Sequence, residues 1–262
     1  MKNLYLKSAQ IQEVFKELKD DFKGSLTEIN GEYNLSFQSN FTQGNIQGRT
    51  FSDGITYLNF DLVFNQEVQI SIESCPIKSI VFAYCSKGVL QHSFGETGKK
   101  KALTKNGSGV LRRHPCVNSL LYFAKNTPTK FTLITTNVNS QETELAKSLK
   151  NTFLNVKEDC LKISVQNFQI AKKINELNAL NQKDNSLDSK NAIIKNIIKL
   201  EIKQNKDSFS EIAESFHSLM INSWNQAKEV THFILDFPSK IEAGFKLNSN
   251  KAMNAFLTHL KI

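Results

Sequence analysis

The 262-residue chain is predicted to be α+β, with a small β-barrel or sandwich in its N-terminal half and an all-α C-terminal half that closes on a helix-turn-helix. Three features predict this. Short apolar strands alternate with Gly-containing turns as far as Thr136, apolar residues beyond Asn137 recur only at helical spacing, and Pro238 opens a short helix behind a tight turn. At this length two or three modest domains are expected rather than a single core. They are placed at residues 1–140, 141–206 and 207–262.

An opening helix comes first, because Ile11, Val14, Phe15, Leu18 and Phe22 fall on one stripe at helical spacing. After Gly24 the period shortens, and Leu58, Phe60, Leu62 and Phe64 alternate with Tyr57, Asn59, Asp61 and Val63 in the pattern of a half-buried strand from Ile55 to Phe64. Further strands are expected at Val68–Ile72, Ile80–Tyr84, Val89–Phe94, Leu120–Phe123 and Phe131–Thr136. Turns are expected at Asp53-Gly54, Lys87-Gly88, the Gly95 to Gly98 loop and Asn106-Gly107. Regular spacing of this kind suits a closed or nearly closed β structure. Phe60, Phe82 and Tyr84 are read as inward-facing, where they either fill the core or line a pocket.

In the second half, Leu145, Leu149 and Phe153, then Ile170, Ile174, Leu177 and Leu180, mark helices. After a polar break from Asn181 to Ser189, Ile193, Ile194, Ile197, Ile198 and Ile202 give another helix a wide apolar face beside Lys195, Lys199 and Lys203. Two partners fit that face: the barrel of the same chain, or a second copy in a homodimer.

Composition narrows the function classes. Hydrophobic residues at 40% and charged ones at 22% are globular values and exclude a mainly disordered or fibrous protein. Apolar runs such as Ile80 to Tyr84 fall far short of the roughly 20 residues a bilayer requires. The charges between Met1 and Gly24 leave no apolar segment for a secretory signal, so a cytoplasmic protein without membrane association is expected. Cys75, Cys85, Cys116 and Cys160 contain no CxxC pair, which excludes a zinc ribbon and a thioredoxin-like motif and suggests reduced, buried thiols. The net charge of +8 is concentrated between Ser86 and Lys130, where Lys87, Lys99, Lys100, Lys101, Lys105, Arg112, Arg113, Lys125 and Lys130 accompany one acid, Glu96. A solvated rim and a groove that tracks nucleic acid both fit that distribution.

The most informative stretch runs from Lys228 to Ile262. Lys228 to Ile234 reads as a short helix, Leu235 to Phe237 as a turn, and Pro238 to Leu247 as a second helix. Ile241 and Phe245, four apart, would face inward and leave Ser239, Glu242, Ala243 and Lys246 on the surface able to enter a major groove, while Lys240 and Lys246 supply positive charge to the phosphates. The run Lys240-Ile241-Glu242-Ala243-Gly244-Phe245-Lys246, with Asn250 to Phe256 and Leu260-Lys261-Ile262, resembles the first helix-turn-helix and connecting helix of AraC-family transcription regulators. Upstream, Gly44 to Gly48, Phe51 to Ile55, Phe60-Asp61, Phe82 to Cys85 and Gly88 to Phe94 look like the cupin-type sensor of AraC-like regulators common in Bacteroidetes.

The resemblance implies a cupin-like sensor barrel, a linker or dimerisation segment, promoter DNA as partner and a small-molecule effector in the barrel. It also implies a second helix-turn-helix, whereas the sequence reaches Ile262 in the connecting helix, so a partial DNA-binding domain truncated before that second unit is expected. Two rival readings stay open: a regulator-like interaction protein that no longer reads DNA, and a cupin-fold enzyme. Cupin metal sites use a His-x-His pair, a glutamate and a later histidine. Here Phe94 follows His92 at the second place, leaving His92, Glu96 and distant His114. His217, His232 and His259 share no short spacing with one another. Neither a GxSxG elbow, a Walker loop, a GxGxxG turn nor an HExxH helix occurs. An enzyme is therefore not expected, nor a metal or cofactor.

Overall fold

The computed structural model describes residues 1–7, 10–74, 79–112, 115–137, 143–154, 162–180 and 187–205. All of them belong to one compact unit, Met1–Ser208. The helix-turn-helix read at 228–262 lies outside the described residues.

Among the described residues, thirteen strands form two sheets. The smaller contains β1 (Lys2–Leu6), β6 (Val68–Ile72), β11 (Ser119–Phe123), β8 (Val89–Phe94) and β9 (Lys101–Thr104), in that order. The larger runs β13 (Lys162–Val165), β10 (Gly107–Arg112), β7 (Ser79–Lys87), β12 (Thr129–Asn137), β5 (Ile55–Phe64), β4 (Thr42–Thr50), β3 (Glu32–Gln38) and β2 (Ser25–Ile29). Apart from the parallel β1·β6 pair every pairing is antiparallel, but only β2·β3, β3·β4, β4·β5 and β8·β9 join strands consecutive in the chain; the other neighbours are brought together by connections that cross between or within the sheets. Gly88 marks the point where the chain passes from β7 in the larger sheet directly into β8 in the smaller. Its φ is +76°, and a Cβ there would lie 2.4 Å from the Pro128 carbonyl oxygen, so only glycine fits this crossing.

The opening helix, α1 (Ile11–Phe22), buries Phe15, Leu18 and Phe22, the positions its apolar stripe predicts, and ends at Lys23 in a left-handed conformation. It caps the space between the two sheets, where Leu35, Phe37, Ile46, Phe60, Leu62 and Phe64 of the larger sheet meet Leu4, Ile70, Leu90, Leu121 and Phe123 of the smaller.

A second core lies on the opposite face of the larger sheet. There Tyr57, Ile80, Phe82, Tyr84, Val110 and Ile134 are covered by helices α2 (Glu144–Leu149), α3 (Phe168–Leu180) and α4 (187–205). The Thr143 hydroxyl accepts the Ala146 N–H at 3.2 Å to start α2, which continues as a π-helical turn over Lys150–Leu154. The Asn167 side chain accepts the Gln169 N–H at 2.8 Å and opens α3 in the same way. Ile194, Ile197, Ile198 and Ile202 of α4 are all buried in this second core, so the wide apolar face rests on the barrel of its own chain.

The structure corrects the expected fold class. The C-terminal half is not all-α, because β13 lies within it, and 47% of the described residues are in strands. The reason is an open edge: β10 pairs with β7 on one side only, and β13 satisfies its other side in the register Gly107↔Val165 to Val110↔Lys162, helped by a 2.9 Å bond between the Ser108 and Ser164 hydroxyls. Four residues are too few to display a period. A second correction concerns β5, expected to be half-buried. Tyr57 and Asn59, on the face read as exposed, are buried beneath the helices, whereas Leu58 is only partly buried.

Candidate functional site

Strand geometry sends successive side chains to opposite faces, and along β7 this separates two environments. Phe82 and Tyr84 point away from the barrel into the second core, where both are sealed at 0–1% exposure. Val81 and Ala83 point into the barrel. The reading of Phe82 and Tyr84 as inward-facing is therefore corrected. Of the three aromatic residues, only Phe60 lines the interior.

The interior holds a cavity of about 160 Å³. Its walls come from nine of the thirteen strands, among them Leu58 and Phe60 of β5, Val81 and Ala83 of β7, Leu133 of β12, Ile70 of β6, Leu90 of β8, Leu103 of β9 and Leu121 of β11. Ile11 and Val14 of α1 close one side. At one end Phe60 stacks on Phe131 with centroids 4.4 Å apart, and Phe123 lies against Phe131 at 5.9 Å. At the other end Thr56, Val81 and Thr135, paired across β5, β7 and β12, are only partly buried and form a mouth. The inner face of these strands is thus more open than their outer face.

Polar groups on the lining are sparse. The Thr56 hydroxyl is already bonded to Thr50 at 2.8 Å. His92 on β8 sits opposite Leu121 of β11 and Lys101 of β9. It is 6% exposed, meets the Phe94 ring edge-on at 4.9 Å, and its Nε2 has no hydrogen-bond partner. Burial first, and then the charge of Lys101, lower its pKa to about 4, so the imidazole is neutral at pH 7. An unpartnered buried imidazole costs folding free energy, and such a group invites a ligand. In the sequence His92 stands out only as a member of a broken His-x-His pair. Its alternation with Leu90 places it on the inner face, but the lack of a partner becomes visible only in three dimensions.

Of the three positions weighed as metal ligands, the structure places His92 in the cavity and Glu96 exposed in the turn after β8, while His114 lies outside the described residues. Ser239, Lys240, Glu242, Ala243 and Lys246 lie outside them too. Among the described residues no group of three or more His, Cys, Asp or Glu is placed to hold a metal ion, and no helix is long and apolar enough to cross a membrane. The expectation of buried thiols holds for Cys85 and not for Cys116, which is exposed; Cys75 and Cys160 lie outside the described residues. The basic residues of 86–130 are dispersed: Lys87 ends β7, Lys99 and Lys100 precede β9 with Lys100 Nζ 3.9 Å above the Tyr122 ring, Lys105 occupies the β9–β10 turn, and Lys130 pairs with Asp61 at 3.3 Å.

Polar ties connect the barrel to α4. Lys190, 4% exposed, donates to both carboxylate oxygens of Glu32 on β3 at 2.6 and 2.8 Å, and the Tyr57 hydroxyl donates to the same carboxylate at 3.2 Å. The Tyr84 hydroxyl donates to Glu201 Oε1 at 3.0 Å inside the second core. Burial, then the Glu201 carboxylate, push the Tyr84 phenol well above its usual range. Lys195 pairs with Asp53, in the turn before β5, at 2.7 Å.

No known protein family matches the chain, and no curated protein sequence matches it. Among solved structures it is similar to the AraC-like transcriptional activator CuxR, at 11% identity over 72% of this chain and 63% of that one, with a TM-score of 0.44. It is also similar to a variant of apo ToxT from Vibrio cholerae, at 12% identity over 62% of this chain and 59% of that one, TM-score 0.44. A Bacillus subtilis oxalate decarboxylase, OxdC, matches at 12% identity over 47% of this chain and 30% of its own, TM-score 0.28. The chain spans about six tenths of the length of the two regulators.

Proposed function

We propose that this chain is a ligand-responsive transcription regulator of the AraC type, in which the barrel receives a small effector and residues 207–262 meet promoter DNA through Ser239, Lys240, Glu242, Ala243 and Lys246. One observation carries the sensor half. The barrel interior is an apolar chamber with a mouth and one unpartnered neutral histidine, while the reverse face of the same strands is closed beneath helices. The DNA-contacting half rests on the sequence pattern from Lys240 to Lys246.

The proposed communication uses the two-sidedness of β7. Val81 and Ala83 face the chamber, and Phe82 and Tyr84 face the helices. A ligand that shifts the first pair moves the second, and the Tyr84 hydroxyl carries the displacement to Glu201 on α4. Because packed cores respond to sub-ångström shifts by repacking, a small movement of the strand is enough to bias the helix. The role is binding rather than catalysis, since one neutral imidazole in an apolar chamber supplies no acid–base pair or activated nucleophile.

Fluorescence anisotropy with the chain's own promoter and with a scrambled duplex, titrated across salt, tests the regulator reading. At least about tenfold preference for the promoter is expected, since mismatches in a specific site each cost about 1–3 kcal/mol. Replacing Lys240 and Lys246 by alanine is expected to lower the salt slope by about 2. Equal affinity for both duplexes at every salt concentration would refute it.

A further inference from the structure

The barrel chamber is too small for most metabolites and too apolar for a sugar or an amino acid. Its volume of about 160 Å³ is close to that of a dry apolar cavity, roughly 150 Å³, that admits benzene. It is well below the roughly 300 Å³ where drug-sized sites begin. We propose that the chamber selects an uncharged ligand of single-ring size carrying one hydroxyl group, with the ring held among Leu58, Ile70, Leu121 and Leu133 and the hydroxyl bonded to His92 Nε2. This deepens the effector reading above and rests on it.

Three features define the ligand class. The walls are mainly aliphatic and aromatic, with hydroxyls from Thr56, Ser119 and Thr135 besides His92, so a ligand with many polar atoms would lose its water with few replacements, at a penalty that selects against polyols and zwitterions. His92 is nine-tenths buried, lines the chamber and has an unpartnered Nε2, so one polar ligand atom gains a bond that the protein alone leaves unmade. The imidazole is also neutral at pH 7, so Nε2 presents either a lone pair or an N–H according to tautomer. A hydroxyl, being donor and acceptor at once, satisfies both forms. A carboxylate only accepts, and would enter an apolar chamber without an opposite charge on its histidine partner.

The test uses the full chain, with phenol, benzene and benzoate as probes, followed by methyl NMR of Leu58, Leu121 and Leu133 and by the His92 ring nitrogen shifts. Phenol is expected to bind about tenfold more tightly than benzene, the increment of one hydrogen bond to a buried partner, and to move the Nε2 resonance. Benzoate at pH 7.5 is expected not to displace it. In His92→Leu phenol should bind no better than benzene, since its hydroxyl then loses water without gaining this partner, and in His92→Gln, which retains a polar partner, the preference for phenol should persist. The ligand class is overturned if phenol binds wild-type protein no better than benzene, if its preference survives in His92→Leu, or if benzoate binds most tightly. If neither neutral probe shifts the chamber methyls, the effector reading itself falls, an outcome distinct from a mistaken ligand class.

Discussion

Replacing His92 with leucine should stabilise the protein, and the gain should grow as the pH falls. At pH 7.5 the native state carries a buried Nε2 without a partner, a deficit of about 1–3 kcal/mol. Leucine removes it and packs beside Leu90, Leu103 and Leu121, while losing an edge contact with Phe94 worth about 0.5–1 kcal/mol. A net gain of about 1 kcal/mol follows.

The pH dependence comes from linkage. The folded pKa is about 4 against an unfolded value of 6.5. As the pH drops below 6.5 the unfolded chain takes up a proton that the folded chain refuses, and wild-type stability falls until the folded pKa is reached. The charge of Lys101 adds to the effect of burial. Between pH 7.5 and pH 5 the wild type should therefore lose about 2 kcal/mol that the variant keeps, widening the gap to about 3 kcal/mol. Urea titrations of both proteins at the two pH values measure it. A variant less stable than wild type at pH 7.5, or a gap that does not change with pH, would refute the placement of His92 as a neutral, unpartnered group.

Other substitutions probe the joint between barrel and helices. Lys190→Met leaves the Glu32 carboxylate without its cation and should cost about 3 kcal/mol in chemical denaturation, with most of the loss recovered when Glu32→Met is added. Tyr84→Phe removes the donor to Glu201 and should cost about 1–2 kcal/mol; a loss below about 0.3 kcal/mol would show that this bond does not hold α4. Gly88→Ala places a Cβ against the Pro128 carbonyl at positive φ, and a loss of at least about 2 kcal/mol is expected by thermal melting.

The barrel was readable where one face of a strand differs from the other. β5 and β6 occupy the predicted Ile55–Phe64 and Val68–Ile72, and β8 the predicted Val89–Phe94. β7 was readable as a strand but not in its orientation, because Ile80 to Tyr84 is an unbroken apolar run. Apolar on both faces, it offers no parity from which to tell Val81 from Phe82. β2 and β4 carry little periodic signal because their sequences are polar, and β4, from Thr42 to Thr50, contributes Ile46 as its one core aliphatic; β3, by contrast, alternates Tyr33, Leu35 and Phe37 with polar residues, a period-2 pattern legible in the sequence though β3 is not among the expected strands. A signal was present in Asn30-Gly31, where both φ values are positive, at +50° and +75°, the requirement of a tight two-residue hairpin turn between β2 and β3. The unpartnered nitrogen of His92 had no signature in sequence, since whether a polar atom finds a partner depends on strands distant along the chain.

The barrel is inverted in one respect: its inside is reachable and its helix-covered outside is not. Adjacent residues of β12 test it most directly: Leu133 lines the chamber and is partly buried, and Ile134 is fully buried in the second core. Single cysteines at these positions, in a background with the native cysteines replaced by serine, are exposed to a small thiol reagent under native conditions. Cysteine at 133 is expected to react, more slowly when phenol is present, and cysteine at 134 to react only as the protein unfolds; rapid labelling at 134 with protection at 133 would contradict the account.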